Sequence, residues 1–260
     1  MYIVAQYTAD DDECRRIVKG INMKAIIFDV DGTLADTEDA HREAFNDAFE
    51  AAGLDWRWDR PLYKKLLAVT GGKQRIRYYL EDHEPDRLRH DTIDAEIAAL
   101  HQSKTTFFVA RLNDGQVPLR PGIKDLILEA RAKKMTLAIA TTTTPVNVTA
   151  LLEANLGADA TGWFICIGDG GKVPVLKPHP DVYLWVLAQL GLAAGETLAL
   201  EDSRNGLIAC RRAGVPCLIV SNDYTEGQDF TGALAVWQSY RGVTVDKLQA
   251  LHAKAHTKAV

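Results

Sequence analysis

Five short apolar runs in this chain of 260 residues read as strands: Ala25 to Phe28, Thr136 to Ala140, Trp163 to Ile167, Thr197 to Leu200 and Pro216 to Val220. Helical patterns separate the later ones, over Gly122 to Lys133, Pro145 to Ala154, Pro180 to Leu190 and Ser203 to Ala213. Strands alternating with helices build a parallel sheet, so the expected fold class is α/β, a Rossmann-like doubly wound sheet with helices on both faces. Between the first two strands the alternation stops. From Thr37 to Leu112 the sequence reads as helix (Asp39 to Ala52, Pro61 to Ala68, Lys73 to Glu81, Thr92 to Leu112), far longer than an ordinary connection. Residues 37–113 are therefore expected to form an inserted all-helical domain. It would sit as a lid over an α/β core of residues 23–36 and 114–260. Residues 1–22, with an acidic run from Asp10 to Glu13, form a leader of unassigned structure.

Composition excludes several classes of function. At 47% hydrophobic and 25% charged the chain is ordinary for a globular protein, and its net charge of −5 argues against nucleic-acid binding. No apolar run approaches the roughly 20 residues that cross a bilayer, so no membrane partner is expected. The leader lacks the apolar core of a secretion signal. Cys14, Cys166, Cys210 and Cys217 show no Cys-x-x-Cys pairing and read as reduced, mostly buried thiols of a cytoplasmic protein. A monomer is expected.

Candidate chemistry gathers at the strand ends. Phe28-Asp29-Val30-Asp31-Gly32-Thr33 closes the first strand with two carboxylates two residues apart at a glycine turn, which aims both at one spot. Carboxylates so close need a cation between them or a proton on one. A hard divalent ion such as Mg²⁺ suits them and leaves coordination sites for phosphate oxygens, while capping of the next turn is the plain alternative. Thr141, Thr142 and Thr143 follow the second strand at a helix entrance, where hydroxyls and free N–H groups either bind phosphate oxygens or cap the helix. Lys177 precedes a Pro-x-Pro segment and could neutralise a phosphoryl oxygen. Glu201-Asp202 ends another apolar strand, as further Mg²⁺ ligands or as a cap. Capping alone does not explain acid pair, hydroxyl, lysine and acid pair at successive carboxyl ends of parallel strands, where such sheets bind ligands.

Asp29-Val-Asp31-Gly-Thr33, Thr141, Lys177-Pro178 and Glu201-Asp202 resemble the four motifs of the haloacid dehalogenase superfamily, over about Met23 to Tyr224. The resemblance implies that Asp29 is a nucleophile forming an aspartyl-phosphate, and that Asp31 is the acid that protonates the leaving oxygen and then activates water. Thr141 and Lys177 would hold the phosphoryl group. Mg²⁺ would bind Asp29, the backbone carbonyl of Asp31 and Asp202, with Glu201 in support. On chemical grounds Asp29 should be ionised at neutral pH, while Asp31 should have a pKa raised by its acidic neighbours.

The lid sequence narrows the resemblance. Asp36-Thr37-Glu38-Asp39-Ala40-His41, Trp56-Arg57-Trp58-Asp59 and Thr70-Gly71-Gly72-Lys73-Gln74-Arg75 are similar to the cap of the beta-phosphoglucomutase-like branch, and most similar to CbbY-type xylulose-1,5-bisphosphate phosphatases. Physically, Gly71 and Gly72 let backbone approach an anion, and Lys73 and Arg75 supply charge for a second phosphate; two solvated cations at a helix start are the alternative. Glu38 and His41, three apart on one helix face, could bind sugar hydroxyls or make a surface contact. Trp56 and Trp58 should pack the lid. Gly168-Asp169-Gly170-Gly171-Lys172 lacks the spacing of a phosphate loop and reads as a turn, and His83, His90 and His101 read as exposed. The expected activity is a Mg²⁺-dependent phosphatase of a small phosphorylated sugar. Its rivals are a sugar phosphate mutase, a general sugar or phosphoglycolate phosphatase, and a receiver-like phosphate-responsive module, against which the large lid counts.

Overall fold

The computed structural model describes residues 22–257. The leader, including Cys14, lies outside the described residues apart from Asn22. Six parallel strands form one sheet: β1 (Ala25–Phe28), β2 (Thr136–Ala140), β3 (Ile167–Gly168), β4 (Thr197–Glu201), β5 (Cys217–Val220) and β6 (Ala235–Trp237), in spatial order β3-β2-β1-β4-β5-β6. Nine α-helices are described: α1 (Glu38–Ala51), α2 (Arg60–Leu66), α3 (Gly72–His83), α4 (Ile93–Asn113), α5 (Ile123–Ala132), α6 (Pro145–Leu156), α7 (Asp181–Leu190), α8 (Arg204–Arg212) and α9 (Val245–Thr257).

The strand period of two divides the core between the sheet's faces. Ile26, Phe28, Leu137, Ile139, Leu198, Leu200, Leu218 and Val220 face one side, where α5, α6 and α9 contribute Leu126, Leu151 and Leu248. Ile27, Ala138, Ala140, Ala199 and Ile219 face the other, where Val182, Tyr183 and Val186 of α7 and Leu207 of α8 cover them. Three of those five inner residues are alanine, which lets the bulky Tyr183 lie fully buried against the sheet.

The third strand lies later than the sequence reading placed it. Ala160–Trp163 is a 3₁₀ turn and the strand is Ile167–Gly168, because this edge segment has a single neighbour to set its length. The sheet also has a sixth strand, and α9 follows it, both beyond the segment the sequence reading interpreted.

The helices between β1 and β2 carry a separate aromatic core of Phe45, Phe49, Trp56, Trp58, Tyr63 and Tyr79, joined by Ile76 and Leu80. Trp58 is fully buried with Phe45 and Phe49 at 4.7 and 4.9 Å. Its backbone is fixed by Asn46, whose amide accepts from Trp58 N at 2.8 Å and donates to Trp58 O at 3.0 Å. The chain is thus an α/β core with an all-helical cap inserted after β1.

Candidate active site

Register brings the motifs together. Phe28 of β1 pairs with Ile139 of β2 and with Leu200 of β4, so Asp29, one residue on, lies level with Ala140 and Glu201. Asp29 N donates to Leu200 O at 3.0 Å and Thr141 N to Gly168 O at 2.8 Å, which carries the ladder to the carboxyl edge of the sheet. There a cavity of about 690 Å³ opens between sheet and cap. Asp29, Asp31, Lys177, Glu201 and Asp202 line its floor, and Glu38, Gly71, Lys73, Arg75, His101 and Lys104 come from the cap side.

Lys177 is 5% exposed, and its ammonium donates to Asp29 Oδ1 at 2.7 Å, Glu201 Oε1 at 2.5 Å and Ala140 O at 2.8 Å. Tyr183 Oη also donates to Glu201 Oε1, at 2.5 Å. Burial works against the Lys177 charge, but Asp29 and Glu201 outweigh it and raise its pKa. Asp29, expected to be ionised at neutral pH, is instead pushed up to about 7, first by burial and then by Glu201, against the pull of Lys177. Burial, Asp29 and Glu201 likewise push Asp202 well up.

Ligand oxygens of Asp29, Glu201 and Asp202 all lie within 4.8 Å of one another, and all three residues are buried. One lysine cannot neutralise three carboxylates. Glu201 Oε2 has no protein partner, and a Cβ at Gly206 would overlap that carboxylate, so the helix start is kept open for it. Excess negative charge, raised acid pKa values and hard oxygen donors fit a divalent cation of the Mg²⁺ type. The Asp31 side chain is not among these groups.

Asp31 differs from the expectation of a raised pKa. Its Oδ1 accepts from Thr37 Oγ1 at 2.8 Å and faces His41 Nε2 at 2.9 Å. Burial would raise its pKa, but His41, Thr37 and the Lys104 charge outweigh burial and lower it. His41 Nδ1 is 2.7 Å from Lys104 Nζ. Asp31, held as a carboxylate, only accepts, so Nε2–H of His41 donates to it and the neutral ring accepts from Lys104 at Nδ1. His41 therefore has no free ring nitrogen for a sugar hydroxyl, contrary to the sequence reading. Burial, then Lys104, lowers its pKa to about 4, and burial brings Lys104 down to about 7.

Lys104 was not singled out from the sequence, although a signal exists. The buried face of α4 runs Ile93, Ile97, Leu100, Lys104, Phe108, Leu112, an apolar stripe at helical spacing interrupted by one cation. His101, expected to be exposed, borders the cavity beside Gly72, where a Cβ would meet its ring at 2.5 Å. Burial lowers its pKa to about 4.

Thr141 is buried, and its hydroxyl accepts from Thr143 N at 3.3 Å; Thr142, Thr143, Thr144 and Asn147 reach the cavity wall. Gly168 ends β3 and the rest of the 168–172 segment is a turn, with Asp169 Oδ1 accepting from Gly171 N at 2.8 Å, and Gly170 and Gly171 also line the cavity. Thr70 Oγ1 accepts from Asn205 Nδ2 at 3.0 Å, which ties the cap loop to the first turn of α8. Gly71 has φ +96°, a conformation glycine adopts without strain. Arg75 lines the cavity and donates to Tyr63 Oη at 2.8 Å, while its Nε is buried without a partner. Lys73 is exposed at the rim. Glu38, beside Arg75 and Tyr63, is pushed up to about 7 by burial against the pull of Arg75. Cys166, Cys210 and Cys217 are free thiols. Among the described residues no helix is long and apolar enough to cross a membrane.

A family model described as haloacid dehalogenase-like hydrolase matches residues 23–214. The plasmid-borne CbbY protein of Cupriavidus necator is 52% identical over 214 residues, covering 82% of this chain and 84% of that protein. The crystal structure of CbbY from Rhodobacter sphaeroides in complex with phosphate is 43% identical with a TM-score of 0.81, over 87% of this chain and 99% of that one. A mutant of that protein in complex with xylulose-(1,5)bisphosphate is 41% identical with a TM-score of 0.80, over the same shares.

Proposed function

This chain belongs to the haloacid dehalogenase-like hydrolases and is a phosphatase, and from that premise we propose that it hydrolyses xylulose 1,5-bisphosphate to xylulose 5-phosphate and phosphate, with Mg²⁺ as cofactor. The observation that carries this reading is a cavity with cationic groups at both ends: Lys177 beside Asp29 on the sheet, and Arg75 with Lys73 on the cap. The positive charge of Arg75 and Lys73 suits an anion away from the reacting one. The ligand of the Rhodobacter sphaeroides complex, a bisphosphate, agrees with two such ends. In this reading residues 37–113 are the cap and residues 23–36 with 114–260 the core, acting as a monomer in the cytoplasm.

Asp29, with one oxygen held by Lys177, attacks phosphorus with the other and becomes an aspartyl-phosphate. Asp31 gives a proton to the leaving sugar oxygen and afterwards takes one from the water that hydrolyses the acyl-phosphate. In the substrate-free protein His41, Thr37 and Lys104 favour the Asp31 carboxylate. Asp31 must therefore gain its proton as the dianionic phosphoryl group enters beside it. Lys104, through His41, keeps that carboxylate oriented. Mg²⁺ among Asp29, Asp202 and the Asp31 carbonyl, supported by Glu201, would offset repulsion between carboxylate and phosphate and stabilise charge in a loose transition state.

Phosphate release across sugar mono- and bisphosphates, with and without Mg²⁺, tests the reading. Xylulose 1,5-bisphosphate should be the fastest substrate and require Mg²⁺. Equal kcat/KM for its monophosphate, or glucose 6-phosphate formed faster from β-glucose 1-phosphate, would overturn it.

A further inference from the structure

The loop that follows β5 touches both the acidic site and the cap. Asn222 Nδ2 donates to Asp202 Oδ2 at 2.8 Å and to Gly32 O at 3.3 Å. This is the one side-chain hydrogen bond that Asp202 accepts among the described residues. The other end of the same amide, Oδ1, accepts from Tyr224 N at 2.9 Å and Thr225 N at 3.1 Å, so the grip on Asp202 and the shape of the loop share one side chain. Packing leaves no slack, since a Cβ at Gly32 would collide with both the Asp202 carboxylate and the Asn222 amide. Buried Arg120 anchors the base of the loop, donating to Val220 O and Ser221 O at 2.6 Å and to Gly32 O at 2.7 Å.

Tyr224, two residues on, belongs to the cap's aromatic core although the core domain carries it. Its ring meets Tyr63 edge-on at 6.0 Å, and its hydroxyl donates to Asp39 Oδ1 at 2.5 Å. Arg60 lies 5.4 Å over the ring and also donates to Asp39, and Lys64 Nζ donates to the neighbouring Asp223 O at 2.9 Å. Two cap helices therefore hold a loop whose other end holds Asp202.

We propose that Asn222 is a positioning residue for the Asp202 carboxylate, and that Tyr224 makes that position depend on the cap being docked. The short tether carries the coupling. A cap that moves off the core must draw Tyr224 out of its pocket or drag the loop with it, and either motion disturbs the amide on Asp202. The inference rests on the reading of Asp29, Glu201 and Asp202 as a Mg²⁺ site.

Calorimetric titration of the substrate-free, full-length protein with Mg²⁺ tests it without any turnover. Asn222→Ser and Asn222→Thr keep a hydroxyl to accept from the loop N–H groups but are too short to reach Asp202. They should weaken Mg²⁺ binding by about 10- to 100-fold, as loss of an outer partner of a metal ligand does, with melting within a few degrees of wild type. Tyr224→Phe removes a hydroxyl that touches only the cap and should weaken Mg²⁺ binding about fivefold. Wild-type affinity in both Asn222 variants would overturn the proposal. Weakened binding in those variants with wild-type affinity in Tyr224→Phe would overturn the dependence on the cap. If the wild-type protein binds no Mg²⁺, the metal reading falls instead.

Discussion

Replacing Lys177 by methionine removes the one ammonium that two buried carboxylates share, at 2.7 Å from Asp29 and 2.5 Å from Glu201. Methionine fills similar volume, so the loss is chiefly one of charge. Removing one partner of a buried ion pair costs about 3–5 kcal/mol. In a protein of this size each kcal/mol moves the melting temperature by about 2–4 °C, so Lys177→Met should melt about 6–20 °C lower in the absence of metal. Asp29 takes up a proton near pH 7, so the loss should be larger at pH 8 than at pH 6. Asp29→Asn in the same background removes one of the stranded charges. The double variant should therefore be more stable than the sum of the single effects predicts, by about 0.5–3 kcal/mol in a double-mutant cycle. Thermal melts of the four proteins read this directly, and strictly additive losses at pH 8 would refute the shared-ammonium reasoning.

The cap makes two further predictions. In Lys104→Met the cation that helps to push His41 down is gone while Asp31 remains, so the imidazole pKa should climb from about 4, which NMR of the His41 ring would follow; no change would detach Lys104 from His41. Glu38 titrates near 7 in the folded protein against an ordinary 4.5, so the native state holds a proton that the unfolded chain has lost. That contribution falls as pH rises from 4.5 to 7 and is flat above. Glu38→Gln should therefore gain stability relative to the metal-free wild type across that interval, as denaturant unfolding at several pH values would show; a constant difference would contradict it.

The central strands were legible because they are buried on both faces and read as unbroken apolar runs, as in Ala25–Phe28. The edge strand was not, since pairing with β2 alone decides where Ile167–Gly168 begins. Helix α9 carries its own signal in Val245 and Leu248, but the surrounding alanines and lysines resemble a tail. At the site, the acids and the lysine could be named from their positions at strand ends. Their protonation could not. Asp31 owes its state to His41, ten residues away, and to Lys104 on another helix, and only packing brings those groups together. Asn222 and Arg120 were illegible for the same reason: nothing in a loop asparagine or a lone arginine marks it until the Gly32 turn closes on both.

The central claim is that Asp29 itself carries the phosphoryl group during turnover. Rapid quench of the Mg²⁺-loaded protein with xylulose 1,5-bisphosphate, followed by borohydride reduction and peptide mass spectrometry, tests it most directly. An acyl-phosphate on Asp29 would be reduced to homoserine at position 29 and nowhere else. Efficient phosphate release with an unmodified Asp29 at every quench time, together with inversion of configuration at a chiral phosphorus, would show that water attacks the substrate directly and would contradict the account.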